Sequence, residues 1–481
     1  MVSFSSLSAS GSLEYARSIF ETTTVKEPFL YNTMIRAYAQ SLSPTEAIHL
    51  YNQMQHRNIK SDNFTYPFVL KACAKVSGVE GNCGFDSLKK GAELHCRIIQ
   101  VGLDSDTFVE NSLIFMYSQG GSLDIARRIF DEMPVKTVVS WNTMIAAYDR
   151  CNDFMAADFL FENNPEKNVV SWNTMITRHV KSGNVVAASR IFDRMPERDV
   201  ASWNGMMAGY IQSRNYHQAL ELFRQMQVNG VAPTEVTITS VLAACAETGA
   251  LELGREIHGL LKQNMLKIEG ILENSLLDMY AKCGSLKQAQ EIFDGMTTKN
   301  VICWNSMIVA LAVHGHSEEA LHLFSSMEKE AEVRPNRVTF IGVLIACSHK
   351  GLVDTGCYYF QRMIDEYKIR PDVKHYGCMV DLLSRWGLLN EAYNLINEIP
   401  FKTNSVLWRT LLGACRVYKN VELAEEVCQK IAELEPLKDS DYSLLSNIYA
   451  EAERWRDVEQ VREKMIDLGI LKKPGFSHIE S

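Results

Sequence analysis

The peptide Val138-Val-Ser-Trp-Asn-Thr-Met-Ile145 occurs again at Val169 to Ile176, and a close copy, Val-Ala-Ser-Trp-Asn-Gly-Met-Met, begins at Val200. The tryptophans of the three copies are 31 residues apart: Trp141, Trp172 and Trp203. Similarity at a fixed period indicates stacked supersecondary structures, each of which buries its apolar face only against a neighbour. The chain is therefore predicted to be a linear array of repeats.

Within one repeat, the apolar residues follow the period of an α-helix. When Val138 is position 1, positions 4, 7, 8 and 11 form one helical face, occupied by Trp141, Met144, Ile145 and Tyr148. A second amphipathic stretch begins at Leu123, with Gly121-Ser122 before it as a break and N-cap, and Pro134 ends it. Each repeat is thus predicted to be a helical hairpin in an all-α fold.

Composition narrows the possible functions. The chain has 49 Lys and Arg against 58 Asp and Glu, which gives a net charge of -9. This charge argues against strong, non-specific binding to nucleic-acid phosphates. The 12 cysteines include no Cys-x-x-Cys, so we expect buried reduced thiols rather than disulfides or zinc ligands. No apolar run approaches the roughly 20 residues of a membrane span.

The same register extends along most of the chain, and each repeat is named here after its position 1. The repeats begin at Pro28, Asn63, Thr107, Val138, Val169, Val200, Glu235, Gly270, Val301, Arg337 and Val373. Successive starts are 31, 35 or 36 residues apart, except for one interval of 44 residues.

Position 5 is asparagine in seven repeats: Asn32, Asn111, Asn142, Asn173, Asn204, Asn274 and Asn305. We expect positions 2, 5, 9 and 12 to line a surface opposite the core-facing side. Asparagine is a mediocre helix former, but its amide donates and accepts hydrogen bonds, which suits a nucleobase edge. Position 2 would flank the base: Phe29, Phe108, Val139, Val170, Ala201, Ile271 and Ile302. The alternative is that the asparagines only cap or bracket backbone between repeats.

These residues resemble pentatricopeptide repeat proteins, specifically the plant type that alternates P, L and S repeats and its E class without a DYW deaminase domain. The resemblance implies a right-handed superhelical α-solenoid in which each repeat reads one base of single-stranded RNA. Position 5 would act with the last residue of its repeat, in the pairs Asn32 and Asp62, Asn111 and Thr137, Asn142 and Asn168, Asn173 and Asp199, Asn204 and Thr234, Asn274 and Asn300, and Asn305 and Asn336. Asn with Asp would favour U, and Asn with Asn a pyrimidine. The L repeats carry Pro67, Thr239 and Ile341 at position 5 and should read little.

The resemblance also divides the chain. Residues 1–27 correspond to a truncated S-type repeat, 28–403 to the RNA-binding repeats, 404–471 to the degenerate E1 and E2 hairpins, and 472–481 to a short tail. The E motifs are carried by Leu407 to Cys415 and Tyr442 to Ala450, which are similar to those of organellar RNA-editing factors. Because repeat-like sequence begins at Gly11, Met1 would fall inside the first helix of a repeat. Two alternatives stay open: Met1 is the true start, or it is internal to a longer chain.

No catalytic or metal-binding residue is predicted. His316-Ser-Glu318 and His478-Ile-Glu480 match half of a zinc deaminase motif, but the Cys-x-x-Cys half is missing. His95 and His258 share one column of two L repeats, which a structural role explains. The expected protein is therefore no enzyme and needs no cofactor.

The resemblance implies partners and a location. The expected partners are pyrimidine-rich organellar RNA, a DYW-type deaminase acting in trans for C-to-U editing, and organellar editing cofactors. The expected location is the mitochondrion, with the chloroplast as the alternative, for a monomer that binds no membrane. Two other functions stay open: RNA splicing or stability, and a helical scaffold for proteins.

Overall fold

The structure is a computed structural model that describes residues 13–23, 27–77, 84–263, 269–330, 332–400 and 404–469. These residues form 27 helices and no strand, so the all-α repeat prediction is confirmed for them. Within these ranges, no helix combines the length and apolar character needed to cross a bilayer. His478 and Glu480 lie outside the described residues.

The first of two compact units spans Met1–Ala232. Its described helices are α1 (Leu13–Thr22), α2 (Pro28–Gln40), α3 (Pro44–His56), α4 (Thr65–Ser77), α5 (Gly84–Gln100), α6 (Thr107–Gln119), α7 (Leu123–Glu132), α8 (Val138–Arg150), α9 (Phe154–Asn163), α10 (Val169–Lys181), α11 (Val185–Arg194), α12 (Val200–Gln212) and α13 (Tyr216–Val228).

The second compact unit spans Pro233–Ser481. Its described helices are α14 (Glu235–Thr248), α15 (Leu251–Gln263), α16 (Ile271–Lys282), α17 (Leu286–Gly295), α18 (Val301–Val313), α19 (Ser317–Met327), α20 (Arg337–Lys350), α21 (Val353–Asp365), α22 (Val373–Arg385), α23 (Leu389–Asn397), α24 (Ser405–Val417), α25 (Val421–Leu434), α26 (Asp439–Glu451) and α27 (Trp455–Asp467).

The first helix of most repeats begins at position 1 of the sequence register, as α8 does at Val138 and α20 at Arg337. Two begin later. Helix α4 begins at Thr65, where Asp62 accepts hydrogen bonds from the amides of Phe64 and Thr65. Helix α16 begins at Ile271, since Gly270 adopts a φ of 64° at the N-cap.

Neighbouring repeats are joined by an aromatic pair that the repeated peptide supplies. In four repeats, the position 4 tryptophan packs edge to face against a phenylalanine of the preceding repeat's second helix, with ring centroids 5.0 Å apart. The pairs are Phe130 and Trp141, Phe161 and Trp172, Phe192 and Trp203, and Phe293 and Trp304. Such a pair contributes about 0.5–1.5 kcal/mol beyond area burial, so it stabilises the stacking of repeats.

Close helix packing requires the small residues of the second helices. Ala126, Ala157 and Ala188 are fully buried in successive repeats. In the three L repeats the same column holds glycine: Gly91, Gly254 and Gly356. An added Cβ would lie 2.5 Å from Met116 Sδ at Gly91 and 2.4 Å from Met279 Sδ at Gly254. The neighbouring methionine fills the space that an alanine side chain occupies elsewhere.

Two sequence expectations are corrected by the packing. Position 12 is buried in most repeats instead of lining the exposed surface: Ala39, Ala312 and Ser348 are 0–1% exposed. Within each compact unit, the first helices pack against the first helices of neighbouring repeats as well as against their own partners, so their buried face is wide. Ser122 lies at the N-cap of α7, but its side chain makes no capping hydrogen bond, unlike Asp153 and Asn184 in the next two repeats.

A charged cluster joins helices α24 and α26 in the C-terminal part of the described chain. The Arg409 guanidinium donates to both carboxylate oxygens of Asp441 at 2.7 Å and to Glu435 at 2.5 Å. Asp441 is 2% exposed, and the arginine lowers its pKa against the opposing effect of burial. This cluster fixes α24 against the start of α26.

Candidate RNA-binding surface

The apolar residues at position 2 of the first helices form an exposed series. Phe29 is 67% exposed and Ile271 is 70% exposed. The other predicted flanking residues are also exposed: Phe108, Val139, Val170, Ala201 and Ile302. The L repeats continue the series with Phe64, Val236 and Val338. Regularly repeated exposed apolar residues of this size mark a binding surface rather than a core.

In most repeats, the last residue is the N-cap of the next repeat's first helix. Asn168 Oδ1 accepts from the amide of Ser171 at 3.0 Å, and Asp199 Oδ1 accepts from that of Ser202 at 2.8 Å. In both cases the serine hydroxyl oxygen accepts a hydrogen bond from the backbone amide of the capping residue, which completes a capping box. Capping was the alternative role for the position 5 asparagines, whereas here the last residue of the repeat caps. A hydroxyl residue three positions after Asp, Asn or Thr is the sequence signal of that cap.

In four repeats the position 5 amide donates to this capping residue through Nδ2. Asn32 contacts both oxygens of Asp62, at 3.1 and 3.2 Å, and Asn173 contacts Asp199 at 3.1 Å. The two Asn with Asn pairs are joined at 3.4 Å (Asn142 and Asn168) and 3.1 Å (Asn305 and Asn336). The structure therefore brings together the two residues of each of these pairs.

The remaining pairs differ. The Cys303 thiol donates to Asn274 Oδ1 at 2.8 Å and lies 3.3 Å from Asn300 Oδ1, so it links that pair. No hydrogen bond joins Asn111 and Thr137 among the described residues. Asn204 belongs to the first compact unit and Thr234 to the second, and this pair stays a prediction.

Two of the pairs lie in hollows bounded by the position 2 residues of adjacent repeats. Asn32 and Asp62 line a hollow of about 610 Å³ between Phe29 and Phe64. Asn305 and Asn336 line one of about 680 Å³ between Ile302 and Val338. Both volumes fall within the roughly 300–1,000 Å³ of ordinary small-molecule sites. Apolar side chains at the rim and hydrogen-bonding groups inside suit a planar polar ring.

The capping aspartates are ionised at neutral pH. Burial of the Asp62 carboxyl opposes ionisation, but hydrogen bonds from Thr65, Asn32 and Phe64 outweigh burial and lower its pKa below the ordinary value. Burial also opposes ionisation of Asp199, but hydrogen bonds from Ser202 and Asn173 outweigh it and lower the pKa of this carboxyl. Each carboxylate therefore offers only hydrogen-bond acceptors.

The histidines considered in the sequence have other contacts. His95 Nδ1 lies 3.0 Å from the Tyr117 hydroxyl, and His258 Nδ1 lies 2.9 Å from that of Tyr280. Burial lowers the pKa of both imidazoles. His316 lies beside Glu319 at 3.2 Å. Across the described ranges, no three His, Cys, Asp or Glu side chains are grouped to hold a metal ion.

A helical-repeat protein with a periodic surface of this kind can be placed in a family by comparison. The PPR repeat family matches residues 28–75, 198–247 and 299–349, and the PPR repeat matches residues 111–138, 170–200, 274–301 and 374–402. The E motif matches residues 418–480. Relatives in Arabidopsis thaliana include the pentatricopeptide repeat-containing proteins At3g29230, 48% identical over 95% of this chain and 80% of its own length, and At5g15300, 45% identical over 99% and 86%. The chain belongs to the pentatricopeptide repeat family, which confirms the resemblance.

Other relatives are longer. The chain covers 64% of the Arabidopsis thaliana protein At1g59720, chloroplastic/mitochondrial, at 37% identity over 97% of this chain. Among solved structures, the pentatricopeptide repeat protein PPR10 from maize, in complex with an 18-nt psaJ RNA element, aligns with a TM-score of 0.50 and 18% identity. That alignment covers 95% of this chain and 82% of PPR10, and it shows a shared fold.

Proposed function

We propose that this protein binds single-stranded RNA in a sequence-specific manner, with one base at each repeat that carries an asparagine at position 5. The observation that carries the proposal is the repeated juxtaposition of an exposed apolar residue with an amide held against the next helix cap. Unpaired bases are recognised by apolar or aromatic contacts to their faces and hydrogen bonds to their edges. PPR10, whose fold this chain shares, was crystallised with an RNA element.

The chemistry of the capping residue gives each repeat its preference. The ionised carboxylates of Asp62 and Asp199 accept but cannot donate, so they match the N3–H of uracil. Asn168 and Asn336 use Oδ1 for the helix cap, and Nδ2 is left to donate. An amide N–H matches an acceptor on a pyrimidine, including N3 of cytosine.

These preferences define a target, with the N-terminal repeat toward the RNA 5′ end. It reads U, any base, two pyrimidines, U, a pyrimidine, any base, two pyrimidines, and then unspecified bases. The repeats concerned begin at Pro28 and end with the Val373 repeat. With a net charge of -9, the protein derives more of its affinity from base contacts than from phosphate attraction.

Removing two reading amides tests this proposal against a protein-binding scaffold. Asn142→Ala and Asn173→Ala should each cost about 1–3 kcal/mol of RNA binding, as expected for a good base contact. Asn163→Ala, an exposed asparagine of a second helix, is the control and should leave RNA affinity unchanged. Equal affinity of all three variants and the wild type would support the scaffold instead.

We further propose that the bound RNA is an organellar transcript and that the protein directs C-to-U editing by recruiting a DYW-type deaminase in trans. The match of residues 418–480 to the E motif supports this, because the family resemblance associates E motifs with organellar RNA-editing factors. Relatives named as chloroplastic or mitochondrial support an organelle, and the mitochondrion is the first choice. By family analogy, the edited C lies a few nucleotides downstream of the base at the Val373 repeat.

Sequencing of organellar transcripts from a plant that lacks the protein tests the editing role. Loss of one C-to-U event downstream of the proposed target, with normal splicing and transcript ends, is the expected result. Altered splicing or unprotected ends with complete editing would instead favour the splicing or stability function.

A further inference from the structure

The carbonyl oxygen of the position 5 asparagine has two different environments. Thr65 Oγ1 donates to Asn32 Oδ1 at 2.7 Å and lies 2.8 Å from Asp62 Oδ1 of the cap. Thr339 Oγ1 donates to Asn305 Oδ1 at 2.6 Å and lies 3.3 Å from Asn336 Oδ1 of the cap. Both threonines are fully buried and occupy position 3 of the following repeat. Since Nδ2 of each asparagine also donates to the capping residue, the amide is held at both ends.

Where the next repeat has serine at position 3, the hydrogen bond to the asparagine carbonyl oxygen is missing. Oδ1 of Asn111, Asn142 and Asn173 is buried and has no hydrogen-bond partner among the described residues. The serine hydroxyls contact the cap alone: Ser171 Oγ donates to Asn168 at 3.0 Å and Ser202 Oγ to Asp199 at 2.6 Å. A buried carbonyl oxygen without a donor is costly, so nothing on this side stabilises the observed amide orientation.

Branching at Cβ distinguishes threonine from serine. The methyl group of threonine restricts its χ1 rotamers, whereas the serine hydroxyl can rotate toward the capping residue alone. Cysteine is unbranched, but the Cys303 thiol also donates to Asn274 Oδ1 at 2.8 Å, so contact with the asparagine oxygen is the property that these repeats share. Position 3 therefore divides the reading repeats into those with a held amide and those with a free carbonyl oxygen.

We propose that position 3 of the following repeat is a positioning residue that determines how strictly the asparagine discriminates between cytosine and uracil. This inference rests on the proposed RNA-reading function. A held amide presents only N–H to the base, whereas a free amide can turn and present its oxygen. Thr65 and Thr339 belong to L repeats, whose own position 5 residues are Pro67 and Ile341. These L repeats therefore contribute to the reading of the base that the preceding repeat contacts.

The chain contains a matched comparison. Asn142 with Asn168 and Asn305 with Asn336 are the same reading pair, but Ser171 follows the first and Thr339 the second. At the Val301 repeat, both amides present N–H groups, which match the acceptors N3 and O2 of cytosine and oppose the N3–H of uracil. At the Val138 repeat, the free amide accommodates either pyrimidine.

Reciprocal substitutions test the proposal: Thr339→Ser and Ser171→Thr. Both keep a hydroxyl in the capping box, as Ser171 and Thr339 themselves do. The readout is the ratio of Kd values for U and C at the base opposite the affected repeat. Because each ratio is measured on one protein, a small loss of folded fraction cancels.

The wild type should prefer C over U at the Val301 repeat by about two- to tenfold, the range of one hydrogen bond, and show little preference at the Val138 repeat. Thr339→Ser should abolish the first preference, and Ser171→Thr should create one at the second repeat. Each variant should leave the ratio at the other repeat unchanged. Equal wild-type ratios at the two repeats, or ratios that neither variant alters, would overturn the inference. If the wild type does not distinguish pyrimidine from purine, the proposed RNA reading fails and this inference fails with it.

Discussion

Asp199→Asn should remove the uracil preference of the Val169 repeat while leaving its helix cap intact. Asp199 Oδ1 accepts from the Ser202 amide at 2.8 Å, from the Ser202 hydroxyl at 2.6 Å and from Asn173 at 3.1 Å. An asparagine Oδ1 can take over these bonds, as Asn168 does one repeat earlier with Ser171. The substitution therefore changes only what the second side-chain atom presents to the base.

The magnitude follows from that second atom. Asp199 Oδ2 offers a charged acceptor to the N3–H of uracil, and hydrogen bonds to charged groups contribute about 1.5–3 kcal/mol. Asparagine places an N–H there, which cannot accept from uracil but can donate to N3 of cytosine. The wild-type preference for U over C should thus fall from about tenfold or more to the near-equal ratio expected at the Val138 repeat.

Fluorescence anisotropy with RNAs that differ at one base measures this ratio, and Asn168→Asp is the reciprocal variant. It should give the Val138 repeat a uracil preference of the same size. The reasoning is refuted if Asp199→Asn retains the wild-type U to C ratio at its base, or if both substitutions weaken all RNAs equally.

Three further predictions concern the surface and the core. Val170→Ala should weaken RNA binding by about 1 kcal/mol through lost apolar contact, without a change in the thermal unfolding midpoint, since Val170 is 58% exposed; a lower midpoint with unchanged binding would place this side chain in the core. Trp203→Ala should lower the free energy of unfolding in urea by about 3–5 kcal/mol. Trp203→Phe should lower that free energy much less, because the Trp203 indole N–H is buried without a partner among the described residues. An equal loss of unfolding free energy in the two variants would show that the indole N–H is bonded. Burial, then Asp104 and Asp106, raise the pKa of Glu110, so its protonated form is favoured on folding. That stability is present below the ordinary glutamate pKa and lost as the pH rises through the raised value, so Glu110→Gln should raise the urea midpoint at pH 7 but not at pH 4.

The repeat period and the hairpin fold were predictable because a single peptide carries the packing. Its apolar spacing fixes the helical face, and Met144 and Ile145 are fully buried as that spacing requires. The wide burial of position 12 was not predictable from one helix, because it results from two neighbouring first helices that the periodicity of a single helix does not represent. The reach of the buried face depends on stacking between repeats.

The candidate site was predictable in its residues but not in its bonds. The recurrence of asparagine at position 5 identified the surface, yet the sequence did not show that Asn173 donates to a residue that is itself a helix cap. The role of Thr339 was also missed, because a threonine at position 3 satisfies ordinary capping and gives no separate signal in one sequence. Only the distance to Asn305 distinguishes it from Ser171.

The most direct test of base reading is the affinity of the protein for its pyrimidine target compared with the same RNA carrying purines opposite Asn142 and Asn173. Each mismatch should cost about 1–3 kcal/mol, so the doubly substituted RNA should bind at least tenfold more weakly at fixed salt, and Asn142→Ala with Asn173→Ala should remove most of that difference. Equal affinity of the wild type for the two RNAs would contradict the account.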